Sequence, residues 1–343
     1  MDVRSVEFAA PYDVRVTQSS LQWPQSGKAL VKTIVSAISS GTELLAFRGQ
    51  WPKGCVVDST ISSLSEDFSY PLKYGYSSVG RVIDVGTGVD KSLLGKRVFS
   101  FNPHESHFAC NPNEVIQIPD DIEHDDAAIL PNMETAVNFV MDGRPLIGER
   151  VCVFGLGIVG LLTTAVLSRT GLENLVAFDR IELRRNRALE LGADFAIDPA
   201  DAFDISENHF RGGTDSYSAW ADLCYELTGS PQALNDAINA TGFAGRIVIG
   251  SWYGSKKSDI NLGGYFHRSR IRMISSQVSS IAPEFMGRWT KDRRMNMALS
   301  FLRKIRPSSL ITHRFNVEDA PRAYELIDKR PSEVIQVILT YED

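Results

Sequence analysis

The residues with the plainest chemistry are a run of glycines, Gly155-Leu156-Gly157-Ile158-Val159-Gly160. A short apolar segment, Val151–Phe154, leads into them, and an apolar helical stretch, Ile158–Thr170, leaves them. In that context each glycine has a physical task. The first permits a tight turn, the second lets backbone approach a diphosphate, and the third lets helix and strand pack closely. The helix start then offers unpaired N–H groups and a partial positive charge to the phosphates. A dinucleotide fingerprint also needs an acid about 20 positions on, at the end of the next strand. Asp179 stands there, after Leu175–Phe178. Its carboxylate would accept hydrogen bonds from the adenosine ribose and repel a 2′-phosphate, so NAD is the expected cofactor. Arg180 follows at once, and an arginine there accommodates a 2′-phosphate, so NADP stays open. Thr228-Gly229 and Gly250-Ser251 follow two later strand candidates, on the side where an open sheet binds its ligand. Plain turn chemistry accounts for those glycines equally well.

Other spacings say less. The four cysteines, Cys55, Cys110, Cys152 and Cys224, form no CxxC pair, which argues against a cysteine-rich zinc site or a disulfide framework. Cys152 and Cys224 are expected as buried strand residues and the others as incidental. His104, Glu105 and His107 are close in sequence but lack the helical i, i+4 spacing of a zinc helix, and are expected as solvated loop. The basic segments His267–Arg272 and Arg288–Arg294 suit an anionic substrate, a subunit contact or, more simply, a solvated face. Glu134 suits a general acid or base or, more simply, a carboxylate that supports the site from behind or lies on a helix surface.

The elements that must hold these residues are legible in outline. The chain has 343 residues, 43% apolar and 23% charged, enough for two domains with ordinary cores. Its 36 basic and 42 acidic residues leave a net charge of −6, without the basic footprint of a nucleic-acid binder. No apolar run approaches the ~20 residues that span a bilayer, and the first residues carry no apolar signal region. No membrane association and a cytoplasmic location are therefore expected. The first third alternates short apolar segments with turn residues, as β structure does. Asp58–Ser69 reads as a surface loop. Around Asp125 a helix is expected over Ala127–Met141, with Pro131 either interrupting it or marking its true start. From Arg150 to about Ser276 strands alternate with helices, the pattern of a parallel sheet. Later segments expected are a strand at Ile271–Ile274, helices at Asn296–Lys304 and Ala320–Asp328, and a strand at Val334–Thr340. The fold class expected is α/β: a doubly wound Rossmann sheet (125–285) inserted into a β-rich domain (1–124 and 286–343).

The chain resembles the medium-chain dehydrogenase/reductase superfamily over nearly its whole length. The likeness rests on Gly75–Val82 with Val85-Gly86, on Gly95-Lys96-Arg97-Val98, on the glycine fingerprint, on Leu191-Gly192-Ala193-Asp194, and on the closing segments Ala320–Ile327 and Val334–Leu339. The resemblance implies a GroES-like catalytic domain beside the Rossmann domain, hydride transfer between a nicotinamide and a carbonyl, alcohol or activated double bond, a small-molecule substrate and a homodimer. The departures are informative. Where zinc-containing members have Cys-Gly-(Thr/Ser)-Asp, this chain has Ser40-Gly41-Thr42-Glu43. Tyr76 replaces the histidine ligand, and Pro131 falls at the third metal position. Serine, tyrosine and proline do not make the N/S site of a catalytic zinc, and the four-cysteine lobe is missing, so no zinc is expected. Gln336 stands where many relatives have a phosphate-contacting arginine. The combination resembles a zinc-lacking branch similar to the bacteriochlorophyllide hydroxyethyl dehydrogenases. Without a metal, hydrogen-bond donors must stabilise the substrate oxygen. The resemblance assigns this to Thr42 and Tyr76, oriented by Glu43. The same residues equally suit structural roles, Tyr76 as a packed aromatic and Thr42 as a helix N-cap. The function expected is a zinc-independent, NAD(H)-dependent oxidoreductase for an alcohol/carbonyl pair. The alternatives are an NADPH-dependent enoyl or quinone-type reductase and a cofactor-binding protein without catalysis.

Overall fold

The computed structural model describes residues 1–52, 68–204 and 220–341. Most of the expected loop Asp58–Ser69, and Cys55 with it, lies outside the described residues. The chain forms two compact units, one of Met1–Pro131 with Leu302–Asp343, the other of Asn132–Phe301.

The first unit is β-rich. Its strands are β1 (Asp2–Ala10), β2 (Asp13–Ser20), β3 (Ala29–Ile38), β4 (Leu72–Lys73), β5 (Ser78–Val85), β6 (Arg97–Ser100), β7 (His107–Cys110) and β8 (Val115–Gln117). The second unit holds β9 (Arg150–Phe154), β10 (Asn174–Phe178), β11 (Phe195–Ile197), β12 (Ala221–Glu226), β13 (Thr241–Ile249) and β14 (Arg272–Ser275). The chain then returns to the first unit with β15 (Ile311–Asn316) and β16 (Gln336–Thr340).

In the first unit β1 lies between β2 and β4, antiparallel to both, and a larger sheet runs β15-β16-β3-β5-β6-β8 with β7 also on β3. β3 is the organising strand. It pairs with β5, β7 and β16, and its near-continuous burial explains an apolar sequence that does not alternate. Helix Ser40–Phe47 leaves its end directly. Val6, Phe8, Leu44, Phe47, Tyr74, Tyr324 and Leu339 share the core beneath that helix. The hairpin β1–β2 was not legible from the sequence, because its turn uses Tyr12 at φ 62°, an uncommon conformation without glycine.

The second unit carries one parallel sheet of order β11-β10-β9-β12-β13-β14. That is the doubly wound 3-2-1-4-5-6 arrangement, whose order reverses between β9 and β12. Pro131 marks a helix start: a short helix, His124–Ala127, ends before it, and Leu130–Gly143 begins with Pro131 in its first turn, where a missing N–H costs nothing. Among the described residues no helix is long and apolar enough to cross a membrane.

Candidate functional site

In the second unit β9 runs straight into Gly155. Gly155 has φ +92°, and a Cβ there would lie 2.6 Å from the Leu227 carbonyl carbon and the Thr228 nitrogen. A Cβ on Gly160 would lie 1.9 Å from the Gly155 oxygen, so that glycine brings helix Ile158–Leu167 onto the turn. Gly157 differs from both. It is the N-cap of the helix, no side chain caps that end, and a Cβ would meet nothing within 4 Å. Leu156 and Ile158 are buried, whereas Val159 is half-buried.

Asp179 sits at the end of β10, as expected, but its carboxylate already has protein partners. Oδ2 accepts from the Leu156 amide at 2.8 Å and Oδ1 from the Ile181 amide at 2.9 Å, and Arg184 Nη1 is 3.8 Å away. It therefore holds the glycine turn in shape, and it does so across 23 residues of sequence. Arg180 is exposed. On the neighbouring strands, the Gly229 amide donates to Ser251 Oγ at 2.8 Å. Gly250 is more than a turn residue: a Cβ there would stand 2.3 Å from the Phe139 ring. Sequence reasoning missed Glu226, fully buried at the end of β12. Its carboxylate accepts from the Thr228 amide and hydroxyl and from the Tyr253 hydroxyl. Burial, then the Glu226 bond, pushes the Tyr253 phenol far above its usual range.

In the first unit Thr42, Tyr76 and Glu43 come together around the start of helix Ser40–Phe47. The Tyr76 hydroxyl donates to Ser39 Oγ and, at 3.3 Å, to Thr42 Oγ1. The N-cap is Ser39, with Thr42 in the first turn, which corrects the reading of Thr42 as the cap. Glu43 is fully buried. It accepts from the Ser39 amide at 2.6 Å, from the Tyr324 hydroxyl at 2.5 Å and from His104 Nε2 at 3.0 Å. His104 Nδ1 meets Ser36 Oγ at 2.7 Å, and Ser36 meets the Tyr341 hydroxyl at 2.8 Å. Burial, then Glu43, holds the Tyr324 phenol well above its ordinary pKa.

Three expectations are corrected here. His104 is not solvated: it is fully buried, with its ring under Gly75, where a Cβ would come within 2.6 Å of it. Glu105 pairs with Lys73 at 2.9 Å. Glu134 and Arg294 are not surface groups: they form a buried ion pair at 2.9 Å, with the Arg294 side chain 1% exposed. Cys110, treated as incidental, is a buried core residue of β7. Gln336 is buried and donates to the carbonyls of Ile38 and Val337, a backbone role within the last strand. Among the described residues no group of three or more His, Cys, Asp or Glu side chains could hold a metal ion.

Comparison with known proteins agrees with this architecture. The zinc-binding dehydrogenase family matches residues 159–291. The (R,R)-butanediol dehydrogenase of Bacillus subtilis is 27% identical over 265 residues, 69% of this chain and 74% of that protein. Sorbitol dehydrogenase 1 of Saccharomyces cerevisiae is 23% identical over 307 residues, 78% and 82% of the two chains. These matches support the resemblance to the medium-chain dehydrogenase/reductase superfamily. The chain is an alcohol dehydrogenase-like oxidoreductase. The fold is also that of the RspB alcohol dehydrogenase of Escherichia coli CFT073, crystallised with NADH: TM-score 0.78, 20% identity, 99% of both chains covered. Against zinc-binding relatives, this chain presents Ser40, Tyr76 and Pro131 at the positions its resemblance assigns to the metal. Ser40 opens the helix that carries Thr42 and Glu43, and Pro131 lies in the first turn of Leu130–Gly143.

Proposed function

We propose that this oxidoreductase transfers hydride between NAD(H) and an alcohol/carbonyl substrate without zinc. The observation that carries the cofactor half is Gly157: a helix start with no side-chain cap and open space where a Cβ would point. The first-turn amides of that helix have no partner within the helix, which suits a diphosphate. Asp179 keeps the turn rigid and presents negative charge at the adenosine end. When bound, the nicotinamide supplies or accepts the hydride. The NADH in the RspB structure is consistent with this reading.

For the substrate half, a hydroxyl cluster takes the place of a Lewis acid. Hydride loss from an alcohol carbon releases the hydroxyl proton, and carbonyl reduction requires one. Tyr76 has one hydroxyl proton, shared between Ser39 Oγ in the shorter contact and Thr42 Oγ1 at 3.3 Å, and the hydroxyl that accepts it has its own O–H polarised. Thr42 is the more accessible of the two and would hold the substrate oxygen, with Ser39 behind it. Glu43 is a positioning residue: it fixes the Ser39 amide, while His104 and Tyr324 saturate its second oxygen. Ser40, Tyr76 and Pro131 do not fit a zinc ion, because none supplies the thiolate or imidazole such a site needs. The substrate is a small molecule, and a homodimer is the assembly the superfamily resemblance implies. A second reading, NADPH-dependent enoyl or quinone-type reduction, is favoured by Arg180, exposed beside Asp179.

The test is one assay series. Protein purified without added metal is screened with alcohols and NAD, before and after a chelator, alongside Tyr76→Phe. Activity that survives chelation and falls at least about a hundredfold in the variant is expected, the scale of a lost proton-transfer group. Activity abolished by the chelator and restored by zinc would refute the metal-free reading.

A further inference from the structure

Arg294 lies in the first turn of helix Lys291–Ile305 and is almost completely buried. A cation there opposes the helix dipole, so something else must hold it. Its guanidinium has five N–H donors, and the structure gives five bonds. Nε and Nη2 donate to Glu134 Oε1 at 3.1 and 2.9 Å, and Nη1 donates to Asn138 Oδ1 at 2.5 Å. Nη1 also reaches the Ser280 carbonyl at 3.0 Å, and Nη2 the Val278 carbonyl. The last two acceptors belong to the segment that leaves β14.

The same segment is gripped from two further sides. The Ser276 amide continues the parallel ladder onto the Ile249 carbonyl at 3.0 Å. Ser276 Oγ donates to Asp142 Oδ2 at 2.5 Å and accepts from Asn138 Nδ2 at 3.0 Å. Glu134, Asn138 and Asp142 are four residues apart, so helix Leu130–Gly143 presents them as one stripe. The Gln277 side chain brackets Ser279, accepting from its amide and donating to its hydroxyl. A loop this thoroughly held, at the carboxyl end of the last strand, lies where an open α/β sheet meets its ligand. In a doubly wound sheet the first three strands serve one mononucleotide half and the last three the other. Asp179 and the glycine turn belong to the first half, and β14 belongs to the second.

We propose that Arg294 is a positioning residue for the nicotinamide half of the cofactor: it fixes the backbone of residues 276–280 as the seat for that half. This rests on the dinucleotide reading above. Glu134 balances its charge, and Asn138 and Asp142 set the near side of the loop. Lysine cannot replace it, because one ammonium cannot span both carbonyls and the carboxylate in the arginine's fork geometry.

The experiment is calorimetric titration of the parent, Arg294→Lys and Arg294→Gln with NADH and, separately, with ADP-ribose, which lacks the nicotinamide ring. The parent binds both. In the variants NADH binding weakens about tenfold, the scale of a misplaced contact wall, while ADP-ribose binding stays within about twofold. Equal weakening of both ligands, or of neither, overturns the proposal. A parent that does not bind ADP-ribose removes the dinucleotide reading and this inference with it. Should both variants fail to fold, hydrogen exchange on the parent decides: amides of 276–280 gain protection with NADH and not with ADP-ribose. Equal protection by both, or by neither, overturns it.

Discussion

Two glycines of one motif, Gly157 and Gly160, are separable by substitution, because Gly160 faces backbone and Gly157 faces open space. In Gly160→Ala the new methyl would sit 1.9 Å from the Gly155 oxygen and 2.9 Å from its carbonyl carbon. Ordinary contact begins near 3.4 Å, so about 1.5 Å must open. Neither partner is a side chain that could rotate away. Overpacking costs about 1–3 kcal/mol in general, and the backbone obstacle places this case near the upper end. For a unit of this size each kcal/mol moves Tm by about 2–4 °C, so a fall of roughly 6–12 °C is expected. In Gly157→Ala the methyl meets nothing, φ is −62°, and the change replaces a favourable N-cap with a poorer one. Stability should move by less than about 1 kcal/mol. The methyl would, however, face the space proposed for the diphosphate, and a tenfold loss of NADH affinity, about 1.4 kcal/mol, is the least expected. Thermal melts without cofactor and calorimetric titration with NADH measure the two effects separately. If Gly157→Ala binds NADH as tightly as the parent, the diphosphate does not lie against that helix start. If Gly160→Ala melts with the parent, the close approach of turn and helix is not what requires glycine there.

Asp179→Ala should do two things at once. It removes the acceptor of the Leu156 and Ile181 amides, costing about 2 kcal/mol in stability, and it narrows any preference for NADH over NADPH; an unchanged ratio of the two dissociation constants would show that Asp179 only holds the turn. Cys110 gives a pH prediction. Burial, then Glu114, pushes its thiol up to about 11, above an unfolded value near 8.5. The unfolded chain therefore loses this proton first as pH rises, so the Cys110 contribution to stability is whole below about pH 8.5 and declines toward pH 11. Denaturant unfolding of the parent and Cys110→Ala from pH 7 to 10.5 should show the parent's advantage shrinking with pH, and a constant difference would contradict the assignment. The thiol should also resist alkylation in the native protein at pH 8.

Much of the nucleotide-binding unit was written locally. Strand, glycine turn and apolar helix occupy consecutive residues, and apolar runs with turn residues between them specify strand and helix without reference to distant partners. That is why β9, the fingerprint and Asp179 could be located from the sequence, whereas Pro131 could be read as either a break in a helix or the start of one, and the structure chose the start. Thr42 and Tyr76 were reachable only through resemblance, since nothing in their own neighbourhoods says that two hydroxyls will meet across 34 residues. What the tertiary structure alone decided is the polar interior. His104 reads as loop until the fold places it beside Glu43, 61 residues away, and Tyr324 joins the same carboxylate from 281 residues away. Arg294 reads as a solvated charge until it meets Glu134 across 160 residues. Apolar residues announce burial by their periodicity, because water excludes them wherever the partner comes from. A charged residue is buried only when its particular partners converge on it, and that convergence exists in the fold and in no short stretch of the chain.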